Sequence, residues 1–270
     1  MNVEILDTKQ LIPFHKLFIN KKEICAMANF FINLQDKPTM LHSMTRRYAI
    51  IVAGGSGKRF GSELPKQFLP LAGKAVLMHS IEKFDKAGAN VVVVLPPEHQ
   101  EMWLTMCKES NFPVTHIVAD GGKTRFESVK NGISAIEELA DGDLVAVHDG
   151  VRPMASVELI NRCYDTAHAT GSAIPVTSAT DSIRQVMADG SSCQLLRSSL
   201  RAVQTPQTFR AELLRGAYDV EESPLFTDDA SVVENAGHQV TLVEGEINNI
   251  KITTPIDMIV VSELMRNAKR

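Results

Sequence analysis

YAIIVAGGSGKRFGSELPKQFL, residues 48–69, joins a short apolar run to a glycine-rich, basic loop. The run 49–52 is rich in β-branched residues and too short for a buried helix, so it predicts a buried strand. Glycine lets backbone N–H groups approach a bound group closely, and three follow at Gly54, Gly55 and Gly57. Cations stand at Lys58, Arg59 and Lys66. A strand that leads into such a loop is typical of α/β proteins that hold phosphate.

The two most common phosphate-binding motifs do not fit this loop. A dinucleotide fingerprint that starts at Gly55 needs a glycine where Phe60 stands. A P-loop needs Ser or Thr after the Gly-Lys pair, and Arg59 stands there instead. The alternative is an ordinary strand-to-helix turn with solvated cations, so other stretches must point to the same ligand.

Composition describes an ordinary globular protein with no strong electrostatic bias. Of its 270 residues 44% are hydrophobic, and the net charge is −4, which argues against a nucleic-acid partner. Four cysteines are scattered without CxxC spacing, which predicts reduced thiols in a cytoplasmic protein and no zinc site. No apolar run approaches the roughly 20 residues that a membrane span needs.

Residues 1–44 differ from the rest because they lack strand–helix alternation. They carry neither the long apolar core of a secretory signal nor the Ser- and Arg-rich composition of a transit peptide. We expect residues 1–43 to be an upstream translation artefact or a dispensable arm, with Met44 as a natural start. A docked accessory helix is the alternative. Residues 45–270 are predicted to form one domain.

From Tyr48 onward, strands and helices alternate in a βαβα pattern. Strands are predicted at residues 49–52, 91–95, 114–119, 143–148 and 172–176. Helices are predicted at 75–86, at 98–109, from the DGGKTRFESV stretch to about 139, and at 157–170. The pattern implies an α/β, Rossmann-like fold: a mixed, mainly parallel sheet with helices on both faces.

The alternation breaks at about residues 177–205, which predict a protruding β-hairpin arm. Residues 182–186 alternate as a strand, 188–191 form a turn, and 194–203 are expected to return. Such a hairpin is expected to meet a partner subunit. Beyond it we predict a helix capped by Thr227, strands at 240–243 and 250–253, and a last helix that starts at Pro255.

Ligands of open α/β sheets bind beyond the carboxyl ends of the strands. Four stretches rich in glycine or charge lie at or near such ends: 54–66, 120–128, 148–153 and 249–253. Each alone has an ordinary interpretation, as a turn or as a lysine that protects a sheet edge. Together they indicate a phosphate-rich ligand.

Six motifs in a fixed order carry a resemblance that covers the chain from Tyr48 to its end. They are GGSGKRFGSELPKQFL, DGGKTRFESV, VHDGVRP, VQTPQTF, TDDASVVE and NIKIT. The set resembles the 2-C-methyl-D-erythritol 4-phosphate cytidylyltransferase family. The related ribitol-5-phosphate cytidylyltransferases share several of these motifs and remain the alternative, although the extra segment that they often carry before VHDGVRP is missing here. A nucleotide-binding sensor without turnover is a third hypothesis, which the retained cations disfavour.

The resemblance implies transfer of CMP from CTP to a polyol phosphate, with release of pyrophosphate and with Mg²⁺ bound mainly through the CTP phosphates. It also implies a homodimer whose arms embrace the neighbouring subunit. By resemblance, the catalytic residues are Arg59, Lys66, Arg197 and Lys251. The binding residues are Ala53, Gly54, Gly55, Gly57, Gly122, Ser128, Asp149, Arg152 and Ser182, with Asp149 also as a metal ligand.

Overall fold

A computed structural model describes residues 45–55, 60 and 64–267 of the chain. The predictions for residues 1–44, Gly57 and Arg59 therefore lie outside the described residues. The strands are β1 (Arg47–Val52), β2 (Pro70–Leu71), β3 (Lys74–Ala75), β4 (Asn90–Leu95), β5 (Ile117–Asp120), β6 (Leu144–Asp149), β7 (Ser172–Ser178), β8 (Arg184–Val186), β9 (Ser192–Gln194), β10 (Arg201–Val203), β11 (Gln207–Arg210) and β12 (Leu242–Glu244). The helices are α1 (Val76–Lys86), α2 (Pro97–Glu109), α3 (Arg125–Ser134), α4 (Val157–Thr170), α5 (Ala211–Ala217), α6 (Asp229–Asn235) and α7 (Pro255–Asn267).

The main sheet has the strand order β10-β7-β11-β6-β1-β4-β5, and β12 pairs with β7. Strand β1 lies in its interior and pairs in parallel with β4 and β6, and β4 pairs in parallel with β5. Strand β11 runs antiparallel to both β6 and β7. The predicted mixed, mainly parallel sheet is confirmed, and β1 is the buried strand that the sequence indicated.

The two faces of the sheet bury alternate residues of the same strands. Ile51 packs on one face with helices α1, α2 and α4, and its neighbour Ile50 packs on the other with α3, α5 and α6. Both isoleucines are fully buried, which explains the continuous apolar run in β1. Helix α7 covers a smaller cluster around Val151 and Ile252. None of the helices within the described residues is long and apolar enough to span a bilayer.

Three predicted elements differ from the prediction in their bounds or in their pairing. Helix α3 stops at Ser134 rather than near 139, and the Asp143 carboxylate then accepts a hydrogen bond from the Ala140 N–H, which turns the chain into β6. Strand β5 starts only at Ile117. In the arm, β8 pairs with β9, but the expected return strand at 194–203 is interrupted by a 3₁₀ turn, and β10 pairs with β7 instead.

Two further predictions were wrong in detail. Residues 250–253 are not a strand: Ile252 N–H donates one hydrogen bond to the Val151 carbonyl, so the segment is a loop laid against the turn after β6. The cap of α6 is Asp228 rather than Thr227. The Asp228 carboxylate accepts from the Ser231 N–H, and the Ser231 hydroxyl accepts from the Asp228 N–H, which satisfies two N-terminal donors.

Candidate active site

A cavity of about 310 Å³ lies at the carboxyl ends of β1, β5 and β6, where the loops after these strands meet. This is the edge at which open α/β sheets bind ligands. Eight of the residues predicted from the sequence line it: Ala53, Gly54, Gly55, Lys66, Gly122, Ser128, Asp149 and Lys251. Tertiary structure therefore brings together residues that are almost 200 positions apart.

One wall of the cavity is the turn before α3. The Ser128 hydroxyl accepts a hydrogen bond from the Gly122 N–H at 3.0 Å and donates one to the Thr124 carbonyl at 2.8 Å. Thr124 caps the helix by accepting from the Glu127 N–H at 3.1 Å. A Cβ on Gly122 would lie 2.2 Å from the Glu127 Cβ, so only glycine lets the turn close on the helix in this way.

A second part of the cavity lining comes from a 3₁₀ turn over Lys66–Phe68, which carries the predicted catalytic lysine. Lys66 Nζ donates to the Ile252 carbonyl at 2.9 Å, and Gln67 Nε2 donates to the Ala53 carbonyl at 2.7 Å. The Phe68 ring is buried and stacks on Trp103 with a centroid distance of 5.9 Å. The turn is thus tied to the glycine loop and anchored in the core.

Asp149 ends β6 and sits between two cations. Its Oδ2 lies 3.0 Å from Arg152 Nε and 3.1 Å from Lys251 Nζ. Burial alone would raise the pKa of Asp149, but the charges of Lys251, Arg125 and Arg152 outweigh burial and hold that pKa well below its ordinary value. The carboxylate therefore stays charged at neutral pH and fixes both partner cations.

Arg125 is a further cation of the cavity that the sequence reading did not single out, although it lies in the DGGKTRFESV motif. Its Nη1 and Nη2 bind the two carboxylate oxygens of Asp229 at 2.8 and 2.6 Å, and the Tyr218 hydroxyl donates to Asp229 Oδ1 at 2.7 Å. Burial would lower the pKa of Arg125, but Asp229 raises it well above its ordinary value. The guanidinium is therefore a permanent positive charge.

A second cavity of about 300 Å³ adjoins the first. The two share Arg125, Asp149 and Lys251, and Arg152 and Thr205 line the second only. Two anionic ligands bound side by side would meet at the shared wall. Lys251 lies there on the loop that replaces the predicted strand, within reach of both cavities.

Two predicted residues are not assembled with the others within one chain. Ser182 and Arg197 lie on the exposed arm and line a separate hollow of about 780 Å³. Arg197 Nη1 donates to the Thr180 carbonyl at 2.9 Å. Arg59 and Gly57 belong to the part of the loop that the structure does not describe, so their predicted roles stay predictions.

Comparison with known proteins gives one consistent result. The family model described as 2-C-methyl-D-erythritol 4-phosphate cytidylyltransferase (IspD) matches residues 48–267. A protein of that name from Bacteroides thetaiotaomicron is 50% identical over 222 residues, which are 82% of this chain and 100% of that protein. One from Porphyromonas gingivalis is 48% identical over 214 residues, 79% of this chain and 95% of the relative.

Solved structures with similar descriptions share the fold. The crystal structure of 4-diphosphocytidyl-2C-methyl-D-erythritol synthase from Anaerococcus prevotii has a TM-score of 0.70 at 25% identity. That of 2-C-methyl-D-erythritol 4-phosphate cytidylyltransferase from Thermus thermophilus has a TM-score of 0.64 at 30% identity. Each similarity covers 82% of this chain and 99% of the solved one.

Proposed function

Because the chain belongs to the 2-C-methyl-D-erythritol 4-phosphate cytidylyltransferase family, we propose that the 310 Å³ cavity holds CTP and the adjoining one holds the acceptor phosphate. The chain is a CTP-dependent nucleotidyltransferase of isoprenoid precursor synthesis. It transfers CMP from CTP to 2-C-methyl-D-erythritol 4-phosphate and releases pyrophosphate. The observation that carries the site assignment is the wall of Arg125, Asp149 and Lys251 that the two cavities share.

The reaction requires fixed positive charges rather than a general base. An oxygen of the acceptor phosphate attacks the α-phosphorus of CTP, and the bond from that phosphorus to the oxygen of the departing pyrophosphate breaks. A phosphate monoester has a second pKa near 6, so the attacking group is already dianionic at neutral pH. The barrier lies in bringing two anions together and in stabilising the charge of the transition state, which fixed cations do best.

The cations of the described residues fit these tasks. We assign Lys66, on the wall next to the glycine loop, to the charge that develops on the α-phosphate, together with Arg59. Lys251 lies at the shared wall and is assigned to the attacking phosphate, with Arg152 beside it. Asp149 Oδ2 forms ion pairs with both Lys251 and Arg152 and so fixes the two cations beside each other.

The base of CTP is assigned to the part of the cavity between the glycine loop and the turn before α3. Ala53, Gly54, Gly122 and Ser128 are among the residues that line the cavity. A pocket built from backbone amides and carbonyls reads the donor and acceptor pattern of a base edge, and it rejects an analogue with the wrong pattern. The triphosphate then extends along the glycine loop toward Lys66.

The residues fit a Mg²⁺ ion held mainly by the nucleotide. Mg²⁺ in such sites is bound by one or two carboxylates together with substrate phosphates. Asp149 is the carboxylate of the cavity, and no cluster of three His, Cys, Asp or Glu side chains occurs within residues 64–267 to compete as a metal cage. Bound Mg²⁺ would neutralise phosphate charge beside Asp149.

We propose a homodimer in which arms are exchanged. The arm residues from 181 to 194 are all exposed, and its apolar side chains include Val186 and Leu196, which are 71% and 72% exposed. A two-stranded hairpin is at best marginally stable alone in water, so these side chains need a surface to cover them. A second copy would receive Ser182 and Arg197 beside its own acceptor cavity.

We also propose a cytoplasmic location. Cys107, Cys163 and Cys193 are free thiols. Burial raises the pKa of Cys163 to about 12 and that of Cys107 to about 11, which leaves them as unreactive thiols. Free thiols are typical of a reducing compartment.

The substrate assignment is tested by a two-by-two assay of pyrophosphate release. CTP or UTP is combined with 2-C-methyl-D-erythritol 4-phosphate or ribitol 5-phosphate, with Mg²⁺ present throughout. We expect the highest kcat/KM with CTP and 2-C-methyl-D-erythritol 4-phosphate. A comparable kcat/KM with UTP would contradict the base pocket, and faster turnover of ribitol 5-phosphate would contradict the acceptor.

A further inference from the structure

We infer that His148, a buried residue that does not line either cavity, is a positioning residue of the acceptor site. It fixes both ends of the turn that carries Asp149 and Arg152. The inference rests on the proposed function, because it takes Arg152, which Asp149 orients, to hold the acceptor phosphate together with Lys251. His148 belongs to the VHDGVRP motif, but the sequence assigned it no role beyond that of an ordinary core histidine at the end of a strand.

The hydrogen bonds around His148 determine its tautomer. Nε2 lies 3.2 Å from the Arg152 carbonyl, which can only accept, so Nε2 carries the proton. Nδ1 is then an acceptor and receives the hydroxyl proton of Thr205, whose Oγ1 lies 3.1 Å away. Thr205 Oγ1 in turn accepts from the Asp149 N–H at 3.0 Å. Each hydrogen bond in this chain joins a donor to an acceptor, and Thr205 Oγ1 both donates one and accepts one.

This network clamps the turn from two sides. At its start, the Asp149 N–H is held by Thr205, and at its end, the Arg152 carbonyl is held by His148. The turn closes with the Arg152 N–H donating to the Asp149 carbonyl at 3.0 Å. The imidazole thereby links β6 to the segment before β11, which is more than fifty residues later in the chain.

The guanidinium of Arg152 is fixed as a consequence. Its Nε donates to Asp149 Oδ2 at 3.0 Å and its Nη1 donates to the Asn249 carbonyl at 2.9 Å. A displacement of the Arg152 backbone would move the guanidinium relative to both partners. Since His148 is fully buried and packs against the Phe84 ring at 4.9 Å, water has no access to replace its hydrogen bonds.

Three variants of His148 separate positioning from packing. His148→Phe keeps an aromatic ring against Phe84 but removes both hydrogen bonds. His148→Gln retains a donor near the position of Nε2, and His148→Asn retains an acceptor near the position of Nδ1. The KM values for CTP and for 2-C-methyl-D-erythritol 4-phosphate, kcat and Tm are measured for the full-length chain. Tyr164→Phe is the matched control, because it removes another buried hydrogen bond, to the Tyr48 carbonyl at 2.8 Å, at the opposite end of β1.

We expect His148→Phe to raise the KM for the acceptor about 10-fold, the factor that corresponds to one buried hydrogen bond of about 1.4 kcal/mol. The KM for CTP should stay within about 2-fold of the parent value, and His148→Gln should recover part of the loss. Tyr164→Phe should lower Tm without changing either KM. Equal shifts of both KM values, or a fall in Tm with unchanged KM values, would overturn the inference.

Arg152→Ala distinguishes failure of the inference from failure of the proposed function. If Arg152→Ala raises the acceptor KM and His148→Phe does not, the positioning role of His148 is wrong and the acceptor site stands. If Arg152→Ala leaves the acceptor KM unchanged, the acceptor site itself is misassigned and the inference fails with it.

Discussion

We propose that Lys66 stabilises the transition state rather than the ground-state complex with CTP. It is held by the Ile252 carbonyl on a turn that Gln67 ties to the Ala53 carbonyl. A cation fixed in advance costs no reorganisation when charge develops on the α-phosphate. Arg59, outside the described residues, is predicted from the family resemblance to act in the same way.

Lys66→Ala should therefore lower kcat by about 10²–10³-fold, the usual effect of removing one preorganised donor. The KM for CTP should change much less, because the interaction is strongest in the transition state. Steady-state assays with Lys108→Ala as the control would measure both quantities, since Lys108 is an exposed lysine in the last turn of α2. A kcat near the parent value in Lys66→Ala would show that the assigned role is wrong.

The buried His148 should also make the stability of the fold depend on pH. Burial lowers its pKa to about 4, against an ordinary value of 6.5, and the nearby Asp149, which acts in the opposite direction, does not offset this. Arg152 and Lys251 also face the ring and disfavour its charge. The unfolded chain binds a proton near pH 6.5 and the folded chain does not, so the stability from neutral His148 is complete above pH 6.5 and falls as the pH drops toward 4.

The free energy of unfolding of the parent chain, measured in urea, should accordingly fall by up to about 1.4 kcal/mol per pH unit through this residue as the pH drops from 6.5 to 5. His148→Gln has no titrating group there, so its unfolding free energy should depend less steeply on pH, whatever its absolute stability. Parallel curves for the two proteins over this range would contradict the low pKa.

At the scale of single elements, helix α3 connects the core to the site. Its N-terminal turn forms one wall of the cavity, and its Gly132 lies against strands β1 and β4. A Cβ there would lie 2.5 Å from Ile50 Cγ2 and 3.0 Å from Val94 Cγ2. The glycine therefore sets how closely the helix approaches β1 and β4.

Gly132→Ala should destabilise the fold by about 1–3 kcal/mol, because overpacking forces the helix away from the sheet. Gly216→Ala is the matched control: Gly216 is also helical, in α5, and an added Cβ meets no atom within 4 Å. This control should gain about 0.5–1 kcal/mol, since alanine loses less backbone entropy in a helix than glycine. Urea unfolding would measure both changes, and equal effects in the two variants would refute the close-packing argument.

At the scale of the whole molecule, the question is whether the arm completes the acceptor site of its own chain or that of a second subunit. Within one chain, Ser182 and Arg197 line a hollow of their own, apart from the cavity of Lys66 and Asp149. If arms are exchanged in a dimer, each site takes Lys66 from one subunit and Arg197 from the other.

Subunit mixing tests this arrangement. Arg197→Ala and Lys66→Ala homodimers should each be nearly inactive, whereas their heterodimer should contain one intact site and regain up to about half of the activity per dimer. Native mass spectrometry would establish that subunits have exchanged. Proven exchange without recovered activity would show that Arg197 acts within its own chain and that the shared-site proposal is wrong.

The sequence alone determined the parts of this protein that depend on local patterns. The apolar run in β1, the alternation of strands and helices and the position of the glycine loop follow from side-chain periodicity and from glycine and proline chemistry. The order of motifs, from GGSGKRFGSELPKQFL to NIKIT, was enough to indicate the family.

Only the tertiary structure decided how distant segments pair. The Ile252 N–H donates a hydrogen bond to the Val151 carbonyl instead of belonging to a strand, and β10 pairs with β7 instead of completing the hairpin. Arg125 binds Asp229, which lies 104 positions later in the sequence. His148 looks like any strand-end histidine until Thr205 is placed beside it. Local propensity cannot predict such contacts, because their free energy comes from burying polar groups that find partners only after the chain has folded.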